Sequence, residues 1–359
     1  MSDPQETSAK SSAGQTPLRS RLASYWRYAR RHPVPIWAGI SVVGALHLRR
    51  KWREAHSGEP DPAVVRDDTV SVALYKLLPL RTFSRLWGRA NDLELPSFLR
   101  SPLLGVYVRV FGCQMDEAVE TSLSAYRNLG ELFRRPLKPG ARPVNRCPKA
   151  VCAPCDGEIL VTGTVTPDGL MDQVKGVQYS LSHFLGSEYG SQVLPKPKEG
   201  YSLFYVVIYL APGDYHRFHS PVEWRVANRK HFPGYLLSVN PVMAARVAGL
   251  FAINERVVYQ GQWKHGFFSM SAIGATNVGS MRFSIDPELN TNRPGEGCST
   301  ACHERTDFGE TWLDRGSEFG EFNLGSTIVL IFEAPSDSSF SVGPGDVTRV
   351  GRRIFKCER

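Results

Sequence analysis

A chain of 359 residues with 42% apolar and 22% charged residues can bury a sizeable core, so it reads as one large domain with an extension, or as two modest domains. Its net charge of +8 sits mostly at the front, because residues 1–66 carry eleven Lys/Arg against five Asp/Glu, a net +6. A basic head on a near-neutral body points to targeting or an anionic membrane surface, and no nucleic-acid fold signature follows it, so no nucleic acid is expected as a partner.

Residues 1–31 read as a disordered, basic, targeting-like segment. Residues 1–18 are polar, rich in Ser and Ala and without periodicity, and Arg19–Arg31 carries five arginines interleaved with Leu22, Tyr25, Trp26 and Tyr28. Asp3 and Glu6 make the extreme N-terminus a poor presequence. Residues 32–53 are expected to hold a single membrane anchor. Val34–Leu48 is an uncharged apolar run of 15 residues, shorter than the ~20 of a usual spanning helix, and Arg49, Arg50, Lys51 and Arg53 follow it as a stop. A helix lying on the membrane surface is the alternative, and basic residues at both ends leave the orientation open.

Residues 54–66 form a linker around Ser57–Pro62. Residues 67–135 read as helical. Leu74, Leu77 and Leu78 recur at helix spacing, then Leu99, Leu103, Tyr107 and Val110, then Ala118, Leu123, Tyr126 and Leu129. Aromatics and arginines mix here (Phe83, Arg85, Trp87, Arg89, Phe98, Arg100), which suits a membrane-associated region and equally an ordinary helical subdomain. From 136 to 359 short apolar runs alternate with Gly, Pro, Asn and Asp, and Glu158–Val161, Leu203–Leu210, Phe267–Ile273, Arg282–Ile285 and Thr327–Phe332 read as strands. Helices followed by strands predict an α+β fold, membrane-associated helices leading into a mainly antiparallel β-sheet domain.

The seven cysteines, Cys113, Cys147, Cys152, Cys155, Cys298, Cys302 and Cys357, are odd in number and irregular in spacing, which excludes a small disulfide scaffold. Cys152-Ala-Pro-Cys155 and Cys298 with Cys302-His303 offer metal ligands or are isolated thiols. There is no Gly-rich phosphate loop, no dinucleotide fingerprint and no Gly-x-Ser-x-Gly elbow. Three segments remain. Cys155-Asp156-Gly157 precedes a strand, and Asp-Gly by itself marks a turn. His216 and His219 follow the strand Leu203–Leu210; three apart at a strand exit, they can act as acid and base, bind a metal, or do neither. Gly325-Ser326 heads a buried apolar strand, where glycine lets a nucleophile approach its carbonyl.

Taken in order, these segments resemble the phosphatidylserine decarboxylase family, its mitochondrial branch in particular. The resemblance runs from Tyr75 to Pro335 through Leu99-Arg100-Ser101-Pro102-Leu103, Phe133, Arg142-Pro143 and Ala153-Pro154-Cys155-Asp156-Gly157. It continues through Asp214-Tyr215-His216-Arg217-Phe218-His219-Ser220-Pro221, Ser238-Val239-Asn240-Pro241, Asn254-Glu255-Arg256-Val257, Gly274–Ser280 and Leu324-Gly325-Ser326-Thr327.

The resemblance implies a covalent pyruvoyl group made from Ser326 by self-cleavage between Gly325 and Ser326, with no metal and no pyridoxal phosphate. It assigns that cleavage to Asp156, His219 and Ser326. A serine needs an adjacent base to become a nucleophile; His219 supplies it, and Asp156 stabilises its imidazolium. The products would be chains 1–325 and 326–359, which stay associated because the second begins with an apolar strand. The pyruvoyl carbonyl would form a Schiff base with phosphatidylserine and accept electrons as carbon dioxide leaves. His216 resembles the histidine of the decarboxylation step, either protonating the carbanion or holding the carboxylate. The implied location is the mitochondrial inner membrane with the catalytic domain facing the intermembrane space. A homodimer remains open, as do two rivals: a metal-dependent hydrolase using His216, His219 and the cysteines, and an inactive membrane-bound scaffold.

Overall fold

The computed structural model describes residues 76–174, 177–186, 195–276, 280–299, 301–323 and 326–358. The expected targeting segment, anchor and linker, and Gly325 of the expected cleavage site, lie outside the described residues. Among the described residues there are six helices: α1 (Leu80–Asp92), α2 (Ser97–Phe111), α3 (Leu129–Phe133), α4 (Leu181–Leu185), α5 (Pro241–Arg246) and α6 (Leu250–Ile253). The strands in chain order are β1 (Ala150–Cys152), β2 (Gly157–Thr164), β3 (Leu170–Val174), β4 (Val177–Ser180), β5 (Tyr201–Tyr209), β6 (Arg217–His219), β7 (Trp224–Phe232) and β8 (Arg256–Trp263). They continue with β9 (Gly266–Ile273), β10 (Met281–Phe283), β11 (Glu304–Leu313), β12 (Glu318–Phe322), β13 (Thr327–Pro335), β14 (Ser339–Phe340), β15 (Val347–Thr348) and β16 (Arg353–Lys356).

The main sheet has eight antiparallel strands in the order β11-β7-β8-β9-β13-β5-β2-β15. β13 is the reason it closes as it does. All nine of its residues are buried, its sequence is rich in β-branched side chains, and it pairs with β5 on one side and β9 on the other. A strand covered on both faces shows no polar alternation. The edge strand β11 shows the opposite pattern, with half-buried and exposed positions nearly alternating. A second sheet, β10-β12-β6, lies against the first through aromatic rings. Phe319 of β12 meets Trp224 of β7 at 6.2 Å and Tyr259 of β8 at 4.9 Å, and Phe218 of β6 meets Phe322 at 4.8 Å.

The helical pattern read across 67–135 holds for α1 and α2 and then fails. Gly112 takes a left-handed conformation at φ 68° and ends α2, and residues 112–128 form turns up to Asn128, whose side chain caps α3 by accepting from Glu131 N. Ala118 and Tyr126 are buried as expected of periodic apolar residues, but a turn carries them: Ala118 makes a single bridge to Leu137, and Tyr126 donates to the Glu120 carbonyl at 2.6 Å. Among the described residues no helix is long and apolar enough to cross a membrane.

The two long helices are fastened to the strands by polar contacts. Arg81 of α1 donates to the Gly234 carbonyl at 2.8 Å and pairs with the fully buried Glu255 at 3.4 Å. Glu255 also accepts from Asn292 N at 2.7 Å and faces His231 Nε2 at 2.9 Å. At the end of α2, Tyr107 donates to the Pro212 carbonyl at 2.8 Å, and Gly213 packs so tightly that a Cβ there would stand 2.0 Å from the Phe111 carbonyl oxygen. Gly213→Ala should therefore push α2 away from the 211–216 loop and lower the melting temperature by several degrees, roughly 1–3 kcal/mol of overpacking; an unchanged melting curve would show that the contact yields at no cost.

Candidate active site

Strand register brings the sequence-predicted residues to one end of the main sheet. Tyr209, the last residue of β5, is flanked by Glu158 of β2 and Thr327 of β13. Asp156 lies just before Glu158 and Ser326 just before Thr327, so the two flank the end of β5 from opposite sides, about two strand spacings or ~10 Å apart. Ser326 is fully buried. Its hydroxyl donates to the Ile273 carbonyl at the end of β9, and its own carbonyl accepts from Leu210 N at 2.8 Å. Phe322 N donates to the His216 carbonyl at 3.0 Å. Phe322 and Ser326 are thus each tied to the 210–216 loop by a backbone hydrogen bond.

His216 is fully buried, with its ring 3.8 Å from that of Phe133. Its Nδ1 lies 2.9 Å from the Asp214 carbonyl, which can only accept, so Nδ1 carries the proton and Nε2 presents a lone pair. Nε2 has no hydrogen-bond partner among the described residues. Burial, opposed by that carbonyl contact and helped by Arg135, lowers the His216 pKa to about 3. The imidazole is therefore neutral at physiological pH.

His219, on β6, has both ring nitrogens engaged. Nδ1 donates to the Gly316 carbonyl at 3.0 Å, which leaves Nε2 to accept from the Tyr215 hydroxyl at 3.1 Å. Burial lowers its pKa too, while the Gly316 carbonyl and the charges of Glu318 and Asp156 act in the other direction. Asp156 does not hydrogen-bond His219. Its carboxylate accepts from Arg142 Nε at 2.9 and 3.1 Å, from Arg142 Nη2 at 2.5 Å and from Val350 N at 2.9 Å. The two are neighbours through the backbone, since His219 N donates to the Pro154 carbonyl at 2.7 Å.

The cysteines form no disulfide among the described residues: Cys155, next to Asp156, and Cys152 are buried, Cys298 is exposed and Cys302 half-buried. His303 sits 3.7 Å from Glu296 instead. Among the described residues no group of three or more His, Cys, Asp or Glu side chains is placed to hold a metal ion.

Four residues escaped sequence reasoning as individual contributors. Tyr215 contacts His219; Arg142 holds Asp156; Arg135, buried, donates to the carbonyls of Gly213 and Asp214 at 3.1 and 3.4 Å and so fixes the loop that carries His216. Asp214 is the fourth. Its carboxylate accepts from Ala211 N at 2.7 Å and closes the turn. Burial pushes its pKa up to about 6; the Ala211 hydrogen bond opposes this, and the charges of Asp156 and Glu158 add to it. The only sequence signal for Asp214 and Tyr215 was their place in the same short segment as the two histidines.

One end of the main sheet thus holds a buried serine at the head of a central strand, with the buried His216 and the half-buried His219 on the chain that follows the neighbouring strand β5. The phosphatidylserine decarboxylase family profile matches residues 129–356. The chain is 49% identical to the mitochondrial phosphatidylserine decarboxylase proenzyme of Pongo abelii over 301 residues, covering 79% of this chain and 73% of that one. It is 41% identical to that of Caenorhabditis elegans, covering 89% and 81%, and 38% identical to proenzyme 1 of Schizosaccharomyces pombe, covering 76% and 79%. The chain belongs to the phosphatidylserine decarboxylase family, in its mitochondrial-type branch.

The raised Asp214 pKa has a consequence for stability. A carboxyl whose pKa rises on folding contributes stability that is complete below its unfolded value near 3.9 and is lost as pH rises through about 6. Relative to Asp214→Asn, the wild type should gain on the order of 2 kcal/mol between about pH 7 and pH 4 in urea unfolding. A stability difference that stays flat with pH would mean that Asp214 is not desolvated in solution.

Proposed function

We propose that the chain is a proenzyme that cuts itself between Gly325 and Ser326 and then decarboxylates phosphatidylserine to phosphatidylethanolamine. The observation that carries this reading is the pair of backbone hydrogen bonds that ties Phe322 and Ser326 to the 210–216 loop and holds a fully buried serine beside the segment bearing His216. In the first stage the Ser326 hydroxyl loses its proton and Oγ adds to the carbonyl carbon of residue 325. The 325–326 C–N bond breaks and an ester forms. Elimination then takes the Ser326 Cα proton and breaks the Cβ–O bond, leaving a carboxylate on residue 325 and a dehydroalanine at 326, whose imine tautomer adds water and loses ammonia to leave a pyruvoyl carbonyl. His219 is the base, through Nε2, once Tyr215 yields that position. Asp156 acts on it through its field rather than by direct contact, favouring the imidazolium.

Residue 326 fits a pyruvoyl group: it is walled off from water, its carbonyl is held by Leu210 N, and His216 Nε2 is an unpartnered base in the adjoining loop. When bound there the group supplies a carbonyl that condenses with the lipid's serine amine and draws off electrons as carbon dioxide leaves. His216 then serves as a proton carrier. The incoming carboxylate favours its imidazolium; departure of that negative charge as carbon dioxide returns the site to the environment that depresses the His216 pKa, so the proton is discharged to the substrate carbon.

The two products stay together because β13 lies between β5 and β9. Polar contacts add to this, since Val350 N donates to Asp156 and Arg349 pairs with Glu117 at 2.7 Å. The lipid is met at a membrane face on α1 and α2, where Phe83, Leu86, Phe98, Leu103 and Val106 are exposed among Arg85, Arg89 and Arg109. The mitochondrial inner membrane, with a single anchor at residues 32–53 and the β-rich domain of 136–359 in the intermembrane space, is the location that fits the mitochondrial relatives.

Intact-mass measurement tests the first stage. Ser326→Ala should give one uncut chain without activity, and His219→Ala should mature very slowly. His216→Ala should mature but release little carbon dioxide. A Ser326→Ala chain that still splits at this bond would end the proposal. The membrane face has its own test: Phe83→Ser with Leu86→Ser, in a chain beginning near Ser57, should weaken sedimentation with anionic vesicles while self-cleavage proceeds. Equal sedimentation would place the contact elsewhere.

A further inference from the structure

Asp156 belongs to a charge-balanced set of four side chains, and the other three take no part in the proposed chemistry. Arg142 stands at its centre. Its Nε and Nη2 grip both oxygens of Asp156, and Nη2 also donates to Glu117 at 2.7 Å. The other oxygen of Glu117 accepts from Arg349 at 2.7 Å. The Arg142 and Asp156 side chains are each 9% exposed. Burial works against the Arg142 charge, but the hydrogen bonds to Asp156 and Glu117 outweigh it and raise its pKa above the ordinary value.

We infer that Arg142 is a positioning residue for self-cleavage: it fixes the plane and the charge of Asp156, and through Asp156 the field at His219. The inference rests on the maturation role proposed for Asp156. A guanidinium fork meeting a carboxylate edge-on defines its orientation as well as its charge. Val350 N takes a further position on Oδ1, so the carboxylate cannot turn. Among the described residues no other cation pairs with Asp156. The charged and titratable groups that interact with it include Cys155, Asp214, Tyr215 and His219, with Arg217 acting on the last two, and Glu117 lies behind Arg142. Arg349 is the other cation of the set, and it is directed to Glu117. Without Arg142 the carboxylate would be a buried charge beside other acids, with neither its charge nor its orientation compensated. His219 would then lose the fixed field that favours its protonated form as the Ser326 proton departs.

The geometry separates charge from orientation, and so does the test. Full-length precursor made by cell-free synthesis is followed by intact mass over time, from about pH 5.5 to 8.5. Arg142→Gln should slow cleavage by at least about tenfold near neutrality, as expected of a misplaced catalytic assembly, and should move the acidic limb of the rate profile to higher pH. Arg142→Lys keeps a cation but not the fork, so its rate should be intermediate and its acidic limb close to that of the wild type. Should Arg142→Gln be insoluble, Arg142→Lys decides alone. Wild-type rate and profile in either variant would overturn the inference. A wild-type chain that never cuts at 325–326 would instead overturn the proposed function. An Asp156→Asn chain that cuts at the wild-type rate would remove the role of Asp156 and the inference with it.

Discussion

Everything in the described structure turns on where β13 lies. It is an interior strand of the large sheet, buried along its whole length and hydrogen-bonded on both sides. That position locks Ser326 at its head against Leu210 and Ile273. Phe322, four residues earlier, is hydrogen-bonded to the His216 carbonyl. A serine on a surface turn would have neither the fixed geometry nor the exclusion of water. The register of three strands, β2, β5 and β13, then delivers Asp156 and the 211–216 loop to the same end without any of these residues being close in sequence.

The electrostatics follow from that burial. Both histidines are held neutral, chiefly by desolvation, and each has its tautomer chosen by a backbone carbonyl: Asp214 for His216 and Gly316 for His219. The carbonyls direct the same nitrogen, Nε2, away from the backbone in both rings, yet the two nitrogens differ in what they meet. One meets the Tyr215 hydroxyl, and the other has no partner among the described residues. That asymmetry matches the proposed division between a base for maturation and a proton carrier for turnover. The carboxylates divide as well, with Asp156 clamped to Arg142 and Asp214 raised to about 6 by burial.

Much of the sheet could be read in the chain because its interior strands are apolar runs. Thr327–Phe332 and Leu203–Leu210 fall almost entirely within β13 and β5. The strands of the main sheet that escaped were β7, β8, β11 and the two-residue β15. β7 includes Arg229, Lys230 and His231, all buried, and their polarity hid the pattern; they are buried because partners such as Asp286, the Leu185 carbonyl and Glu255 come from far along the chain. Residues 112–128 erred the other way, since apolar spacing suited to a helix is carried there by turns. At the site, the sequence offered residue types but not their partners. Asp156 is met by Arg142 and Val350, 14 and 194 positions away, and no local pattern encodes the second of these.

The interior position of β13 gives the proposed enzyme a history it cannot repeat. Before cleavage, the strand that closes the sheet is connected to the rest of the fold, and folding is a matter of one chain finding its own partner strands. After cleavage, the same strand belongs to a fragment of residues 326–359. Reinserting it between β5 and β9 would require two molecules to meet, in competition with the aggregation of an open sheet edge. The mature protein is then preserved by the barrier to losing that strand rather than by an equilibrium it can re-enter. Heat or denaturant that opens the sheet even briefly retires the molecule, so replacement depends on new precursor rather than on refolding.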